Sequence, residues 1–332
     1  THVDDGRTIG HPDLARELDD LIAAKFESKA NKGVDFLGFE EELLPDGRLK
    51  VHMASTTHKL LALTGYVQAH GSATPLPNGF TPLSAAAPVK GSPSQIQLDF
   101  PSVLGVFGWL SNVRPGLKYA HGVLSTVAHP SKALPDAPTQ AHHQALRHCL
   151  RYLKHTPDRG LIFDSKRPLL PVFWKDASFA RDLHHEAHGG LCRSRSAYIG
   201  MSCGATIAAA SSRQTCTALS TADAELYALM LVVRVALFVR RLYEFFLNAT
   251  LPPTIIYEDN TTVITQLKTR DLSGKTRHQP IHKGFIIDAI DRGDIVVAFA
   301  PTAEMVADFG TKMDAHTFVK LEAYASGYSS VL

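Results

Sequence analysis

The sequence has little cysteine, no long apolar run and almost no net charge, and each shortage excludes a class of protein. The four cysteines, at positions 149, 192, 203 and 216, show no paired spacing, so we expect a reduced intracellular protein without a disulfide framework or a zinc knuckle. Arginines interrupt the one apolar candidate for a membrane span, so no membrane partner is expected. The net charge is +2, so any basic surface must be local.

Glycine and proline are also absent between residues 215 and 251, which favours one long helix. Ser220 and Asp223 form the pattern of a helix start, and the turns after Leu226 are apolar on nearly all sides. Glu225 therefore lies at the start of a buried helix, where a carboxylate is costly unless it is paired or binds a cation. The alternative is that Glu225 only complements the helix dipole.

Three other carboxylates follow predicted elements of a sheet. Asp176 ends a run rich in β-branched and aromatic residues, and Asp259 ends a second such run, so both are expected at strand ends. Asp308 lies in a predicted short helix after a third strand. Such acids can converge at one edge of a sheet. Because carboxylates held together repel one another, this convergence predicts a hard cation, for which Mg²⁺ is the usual choice.

The order of these segments resembles the ribonuclease H domain of copia-type LTR retrotransposons. Six phrases match that family in order: KDASFA from residue 175, IAAASSRQ from 207, STADAELYAL from 220, YEDN from 257, TRH from 276 and ADFGTK from 307. Six matches in the right order are far more specific than any one of them. The resemblance implies an α/β fold with a mixed, roughly five-stranded sheet flanked by helices.

The same resemblance implies a reaction and the residues for it. The reaction is hydrolysis of the RNA strand of an RNA/DNA hybrid with two Mg²⁺ ions, or Mn²⁺ in their place. The implied catalytic and metal-binding residues are Asp176, Glu225, Asp259 and Asp308, with Asp176 between the two ions and Asp308 on the more loosely bound one. The implied substrate contacts are Arg213, Gln214, Asn260 and His278.

The first residues resemble another part of the same polyprotein. Asp4 and Asp5, in the stretch THVDDG, match the metal-binding pair of the reverse-transcriptase YVDD box, although an ordinary hairpin would also fit. A predicted helix over residues 12–26 and the stretch DFLGF from Asp35 continue the resemblance. The fingers and the rest of the palm would precede residue 1, so we expect a piece of a longer Pol polyprotein with an incomplete polymerase part.

We therefore predict three parts: the end of a reverse-transcriptase palm with the start of a linker over 1–85, a mainly helical thumb or connection over 86–167, and a ribonuclease H domain over 168–332. In the middle part, helices are expected over 100–127 and 139–154. Arg147, Arg151 and Lys154 share one face of the second helix, which fits either phosphate contacts or a solvated surface.

Several departures from the family pattern keep other functions open. Ser178, Ala209, Gly116 and the stretch RHQP from Arg277 differ from the usual residues. One alternative is a catalytically decayed remnant that still binds hybrids, and another is a different nuclease on the same fold, of the integrase or resolvase type. A zinc site at His184, His188 and Cys192 is disfavoured by the glycines beside it.

The implied partners are an RNA/DNA hybrid and the remainder of the Pol polyprotein, namely the fingers and palm of the reverse transcriptase and the integrase. The resemblance implies a place in the cytoplasm, within virus-like particles, and in the nucleus.

Overall fold

The computed structural model describes residues 11–26, 35–78, 80, 99–128, 138–183, 192–270 and 280–332. Asp4, Asp5, His278 and the histidine-rich stretch 184–188 lie outside the described residues. No helix within these described ranges combines the length and the apolar character needed to cross a bilayer.

The α-helices are α1 (Pro12–Lys25), α2 (Ala54–Thr64), α3 (Phe100–Leu110), α4 (Lys118–Ala128), α5 (Gln140–His155), α6 (Thr221–Leu247), α7 (Thr261–Lys268), α8 (Pro280–Asp291) and α9 (Ala315–Ala325). The strands are β1 (Asp35–Phe36), β2 (Phe39–Leu43), β3 (Leu49–His52), β4 (Leu161–Phe163), β5 (Val172–Leu183), β6 (Cys192–Ser202), β7 (Ala205–Arg213), β8 (Thr254–Glu258) and β9 (Ile295–Phe299). Short 3₁₀ helices occur at Pro115–Leu117, Thr302–Glu304 and Val306–Gly310.

The larger sheet has five strands in the order β7-β6-β5-β8-β9. The pairs β5–β6 and β6–β7 are antiparallel, whereas β5–β8 and β8–β9 are parallel. The predicted α/β class and mixed five-stranded sheet are therefore confirmed. The hairpin between β6 and β7 turns at Cys203 and Gly204, both of which have positive φ, 49° and 79°. Glycine suits the second position because it has no Cβ to clash there.

Strand β5 is longer than the sequence predicts. Asp176 was expected at the end of the strand, but β5 continues past it because Asp176, Ala177 and Ser178 stay paired with β6. The parallel pairing with β8 runs only from Val172 to Trp174. Asp176 thus lies beyond the last paired residue of β8 while its own backbone is still held by β6.

The long helix was predicted correctly, and the stretch 100–127 is helical as predicted but is divided in two. The hydroxyl of Ser220 accepts a hydrogen bond from the backbone N–H of Asp223, and α6 then runs for 27 residues. By contrast, 100–127 forms two helices, α3 and α4. Pro115 separates them, because proline cannot take part in an interior helical turn, and a 3₁₀ helix begins there.

The sheet is covered by different segments on its two faces. On one face, α6, α7 and α8 bury residues of the central strands in one core cluster, which includes Phe173 and Ile256. On the other face, Trp174, Ile199 and Met201 belong to a cluster shared with α3, α4, α5 and α9. Successive strand residues point to opposite faces, which places Phe173 and Trp174 in different cores. The middle segment of the chain therefore packs directly on the large sheet.

A smaller antiparallel sheet in the order β1-β2-β3-β4 joins distant parts of the chain. Leu49 of β3 pairs with Phe163 of β4, and the backbone N–H of Ile162 donates to the carbonyl oxygen of Ser326 at 2.9 Å. Strand pairing thus links the first two of the three predicted parts, and the third is linked to them by the bond from Ile162 and by the shared core.

Candidate metal centre

Asp176 and Asp259 lie side by side because they occupy matching positions along two neighbouring parallel strands. Trp174 of β5 pairs with Tyr257 of β8, and Asp176 and Asp259 each lie two residues further along the chain, Asp176 within β5 and Asp259 just after β8. Parallel strands that are level at one pair remain roughly level two residues later. Asp176 is buried at 8% exposure, whereas Asp259 is partly exposed, so the site opens on the side of Asp259.

Glu225 comes to the same place from α6, which packs against β5 and β6. It lies in the second turn of that helix and is 5% exposed. One carboxylate oxygen from each of Asp176, Glu225 and Asp259 lies within 4.8 Å of the other two. No other group of three or more acids, histidines and cysteines in the described part of the chain is clustered in this way.

The three carboxylates could together hold a divalent metal ion. Mg²⁺ prefers oxygen ligands at about 2.1 Å, so opposite ligands lie roughly 4.2 Å apart. Neighbouring ligands of an octahedral ion lie closer still, at roughly 3 Å, so the three oxygens, which are within 4.8 Å of one another, would have to move together to bind one ion. Three carboxylates held this close in a buried setting also repel one another, which a divalent cation relieves.

A buried cation lies beside the trio. The Nζ atom of Lys175 is 2.6 Å from Oε2 of Glu225 and 2.5 Å from Oε2 of Glu258. The side chains of Lys175 and Glu258 are both 0% exposed. They meet because each lies one residue past the pair formed by Trp174 and Tyr257 on adjacent parallel strands. The other oxygen of Glu258 accepts a hydrogen bond from the backbone N–H of Asn260 at 2.9 Å.

Burial dominates the electrostatics of this cluster. It raises the pKa of Asp176 to about 6, although a hydrogen bond from Thr311 acts in the opposite direction. It also raises the pKa of Glu225 to about 8, against the opposing charge of Lys175. Burial alone would lower the pKa of Lys175, but the charges of Glu258 and Glu225 raise it above its ordinary value. One ammonium group cannot neutralise both glutamates, so a bound divalent ion would favour the charged form of Glu225.

Asp308 lies next to the trio but is paired with another residue. It belongs to the 3₁₀ helix Val306–Gly310, which is the short helix that the sequence predicts here. Its Oδ1 atom is 2.6 Å from Nζ of Lys312. The hydroxyl of Thr311, which bonds to Asp176, also lies 3.1 Å from the backbone carbonyl oxygen of Asp308, so the two acids are close in space.

Two hydroxyl groups hold the aspartates of the trio. Thr311 donates a hydrogen bond to Oδ2 of Asp176. Thr302 donates to Oδ2 of Asp259 at 3.0 Å. Both threonines come from the segment that follows β9, so this segment holds the side chains of Asp176 and Asp259.

The predicted substrate contacts occupy different settings. The amide nitrogen of Gln214 donates to Ser196 and to the carbonyl of Ala224, and the residue is 2% exposed, so Gln214 holds β6 and α6 together. Asn260 caps α7 by accepting from the N–H groups of Thr262 and Val263. Arg213 ends β7 and is half-buried, and His278 lies outside the described residues.

The basic face predicted on α5 is partly engaged by the protein itself. The Nε atom of Arg151 donates to the backbone carbonyl of His70 at 2.9 Å. Arg147 and Lys154 are half-buried on the same helix. Arg151 therefore makes a contact within the protein. Phosphate contacts by Arg147 and Lys154 stay a prediction.

Sequence reasoning overlooked Lys175, Glu258, Thr311 and Lys312. A signal for the first two was present, because each predicted strand ends in a charged residue followed by an aspartate, Lys175-Asp176 and Glu258-Asp259. Opposite charges at matching positions of two buried strands indicate a cross-strand ion pair, provided that the strands are neighbours.

Comparison with known proteins places these features in context. No family model matches the chain. The chain is similar to the retrovirus-related Pol polyproteins from transposons RE1 and RE2 of Arabidopsis thaliana, with 26% identity over 318 residues in each case. The match covers 94% of the chain and 20% of each polyprotein, so the chain spans about a fifth of their length.

Two further similarities cover less of the chain. Secreted RxLR effector protein 161 of Plasmopara viticola is 34% identical over 129 residues, which are 39% of the chain and 82% of that protein. The solved structure of LC11-RNase H1, isolated from compost by a metagenomic approach, matches with 13% identity and a TM-score of 0.32 over 43% of the chain and 92% of that structure. This structural likeness is too slight to bear on fold or function.

Proposed function

Because the chain is homologous to the Pol polyproteins of retrotransposons, we propose that it is the C-terminal part of a copia-type reverse transcriptase with a ribonuclease H activity. The proposed reaction is hydrolysis of the RNA strand of an RNA/DNA hybrid. The observation that carries the proposal is the convergence of Asp176, Glu225 and Asp259 within 4.8 Å, from three separate elements. A chain that needed these acids only for stability would gain little from burying them together.

Asp176, Glu225 and Asp259 are the residues that would hold divalent metal, with Asp308 at the margin. When bound, two such ions activate a water molecule and stabilise the leaving oxygen in phosphodiester hydrolysis. The protein supplies the fixed geometry: β6 holds the backbone of Asp176, and Thr311 and Thr302 orient the two aspartates. Lys312 places a positive charge at the partly exposed margin, where it can attract a phosphate group.

The proposal includes the substrate class. The RNA strand differs from the DNA strand by its 2′-hydroxyl groups, which proteins contact across the wide minor groove of the hybrid. Asn260 and Arg213 lie at the ends of β8 and β7 and are the described residues we propose for these contacts. Gln214 supports this region from inside, through its bonds to Ser196 and Ala224.

The test is cleavage of a labelled RNA/DNA hybrid by the full chain of 332 residues in Mg²⁺. We expect cutting of the RNA strand that Asp259→Asn abolishes, because the variant keeps the size of the side chain and removes its charge. The matched control is Asp294→Asn, which changes an aspartate at the opposite end of the sheet, immediately before β9, and should leave cutting unchanged.

Other outcomes would identify the alternatives. Binding of the hybrid without cutting, in both the native chain and Asp259→Asn, would identify a decayed remnant and overturn the proposed activity. Efficient competition by a DNA duplex or a four-way junction, together with cutting of that DNA, would instead indicate a nuclease of the integrase or resolvase type.

A further inference from the structure

The buried triad of Lys175, Glu225 and Glu258 connects the candidate metal centre to the interior of the sheet. The ammonium group of Lys175 lies between the two carboxylates, at 2.6 Å from Glu225 and 2.5 Å from Glu258. Glu258 is further fixed by the backbone N–H of Asn260. Lys175 of β5 therefore connects Glu225, which belongs to the metal centre, with Glu258 of β8.

Burying such a triad is costly, and a role in stability alone does not account for it. Removing three charged groups from water costs several kcal/mol for each ion, and apolar residues of similar volume often serve stability equally well. The triad is instead placed where one of its members, Glu225, faces Asp176 and Asp259. The arrangement resembles the outer contacts that orient the ligands of metal sites in general.

We propose that Lys175, anchored by Glu258, is a positioning residue that holds the carboxylate of Glu225 beside Asp176 and Asp259. The inference rests on the proposed function in that it takes Glu225 as a metal ligand. Lys175 supplies positive charge next to the acids when no divalent ion is present, and Glu258 shares that charge. Because Glu258 pairs with the same ammonium group, Lys175 attracts Glu225 less strongly, and Glu225 stays available to a divalent ion.

The proposal predicts opposite effects for two related variants. In Glu258→Gln, Lys175 has only Glu225 left as a charged partner, so it competes with the ion and the affinity for Mn²⁺ should fall about tenfold. Adding Lys175→Met to Glu258→Gln removes the competing charge, so the affinity should return at least to its original value. In this double variant Glu225 is no longer held, so the cutting rate at saturating Mn²⁺ should fall about tenfold.

The experiment measures Mn²⁺ binding to the full chain by electron paramagnetic resonance, without nucleic acid, and hybrid cutting separately as a function of Mn²⁺ concentration. Glutamine at position 258 keeps an acceptor for Asn260, and circular dichroism with urea unfolding confirms that each variant is folded. The matched control is Glu322→Gln, which removes the charge of a buried carboxylate 2.6 Å from Arg159, away from the trio. It should lower stability and leave Mn²⁺ affinity unchanged.

The outcomes separate this inference from the proposed function. Unchanged Mn²⁺ affinity in Glu258→Gln, or a double variant that cuts as fast as the native chain at saturating Mn²⁺, would overturn the positioning role and leave the proposed nuclease intact. Mn²⁺ binding with the predicted pattern but no cutting by the native chain would support the positioning role and overturn the activity. Absence of Mn²⁺ binding in the native chain would overturn both.

Discussion

The hydroxyl group of Thr311 donates a hydrogen bond to Oδ2 of Asp176, a residue 135 positions earlier in the chain. Thr311 is 2% exposed, and its backbone belongs to the segment that also carries Asp308. This bond ties the 3₁₀ segment after β9 to the middle of β5. It also favours the charged form of Asp176, the form that binds metal.

Replacing Thr311 with valine should loosen both the fold and the metal centre. The change removes one donor to a buried carboxylate, so we expect the free energy of unfolding to fall by about 1–3 kcal/mol. We also expect Mn²⁺ affinity to fall about tenfold. Urea unfolding and Mn²⁺ titration measure the two effects. Thr206→Val is the matched control, since Thr206 is a buried threonine that donates to the neutral carbonyl of Ala325 at 2.7 Å, and it should change stability alone.

The segment 168–332 should not fold by itself. Trp174, Ile199 and Met201 on one face of the large sheet are covered by α3, α4 and α5, which precede this segment. Removing those helices exposes a contiguous apolar face. We expect the isolated segment to show a broad urea transition and to bind a hydrophobic dye, whereas the full chain should unfold cooperatively. A sharp transition for 168–332 equal to that of the full chain would contradict this.

His148 should make the fold sensitive to acid. Burial lowers the pKa of His148 below 6.5, and the charge of Arg151 acts in the same direction. The folded state therefore binds this proton less readily than the unfolded chain, so the stability that neutral His148 provides is complete above its unfolded pKa and declines as the pH falls below it.

The raised pKa values of Asp176 and Glu225 act in the opposite direction, so the measurement must be a difference between two proteins. The free energy of unfolding of the native chain, minus that of His148→Gln, should decrease from pH 7.5 to pH 5. Glutamine is chosen because it can keep a polar contact with Ser72, whose hydroxyl lies 2.8 Å from Nε2 of His148. A difference that is constant over this range would show that the proton on His148 has no part in stability.

Thiol labelling should distinguish Cys149 from Cys216. Cys149 is 1% exposed, its thiol donates to the carbonyl of Pro75, and burial raises its pKa above the ordinary value. Cys216 is exposed. Because the thiolate is the reactive form, iodoacetamide should modify Cys216 in the folded protein and Cys149 only after unfolding in urea. Peptide mapping by mass spectrometry measures both rates, and rapid labelling of Cys149 in the native protein would contradict the packing of α5.

The sequence was informative where structure follows from local patterns. Helix α6 was predictable because Ser220 caps it and no glycine or proline interrupts it. Asp259 was expected after a strand, and it follows β8. The pairing of Lys175 with Glu258 was not predictable, because it depends on β5 and β8 being adjacent and level, which no local pattern reports. The burial of Gln214 was missed for a similar reason, since its partners lie on β6 and α6.

The pairing of β3 with β4 has a consequence for biosynthesis. Leu49 can pair with Phe163 only after β4 has been synthesised, and β4 can bond to the carbonyl oxygen of Ser326 only after that residue has been added. Until then the nascent chain carries an unpaired strand edge of the kind that promotes aggregation. We therefore expect the nascent chain to need chaperones until these pairings can form.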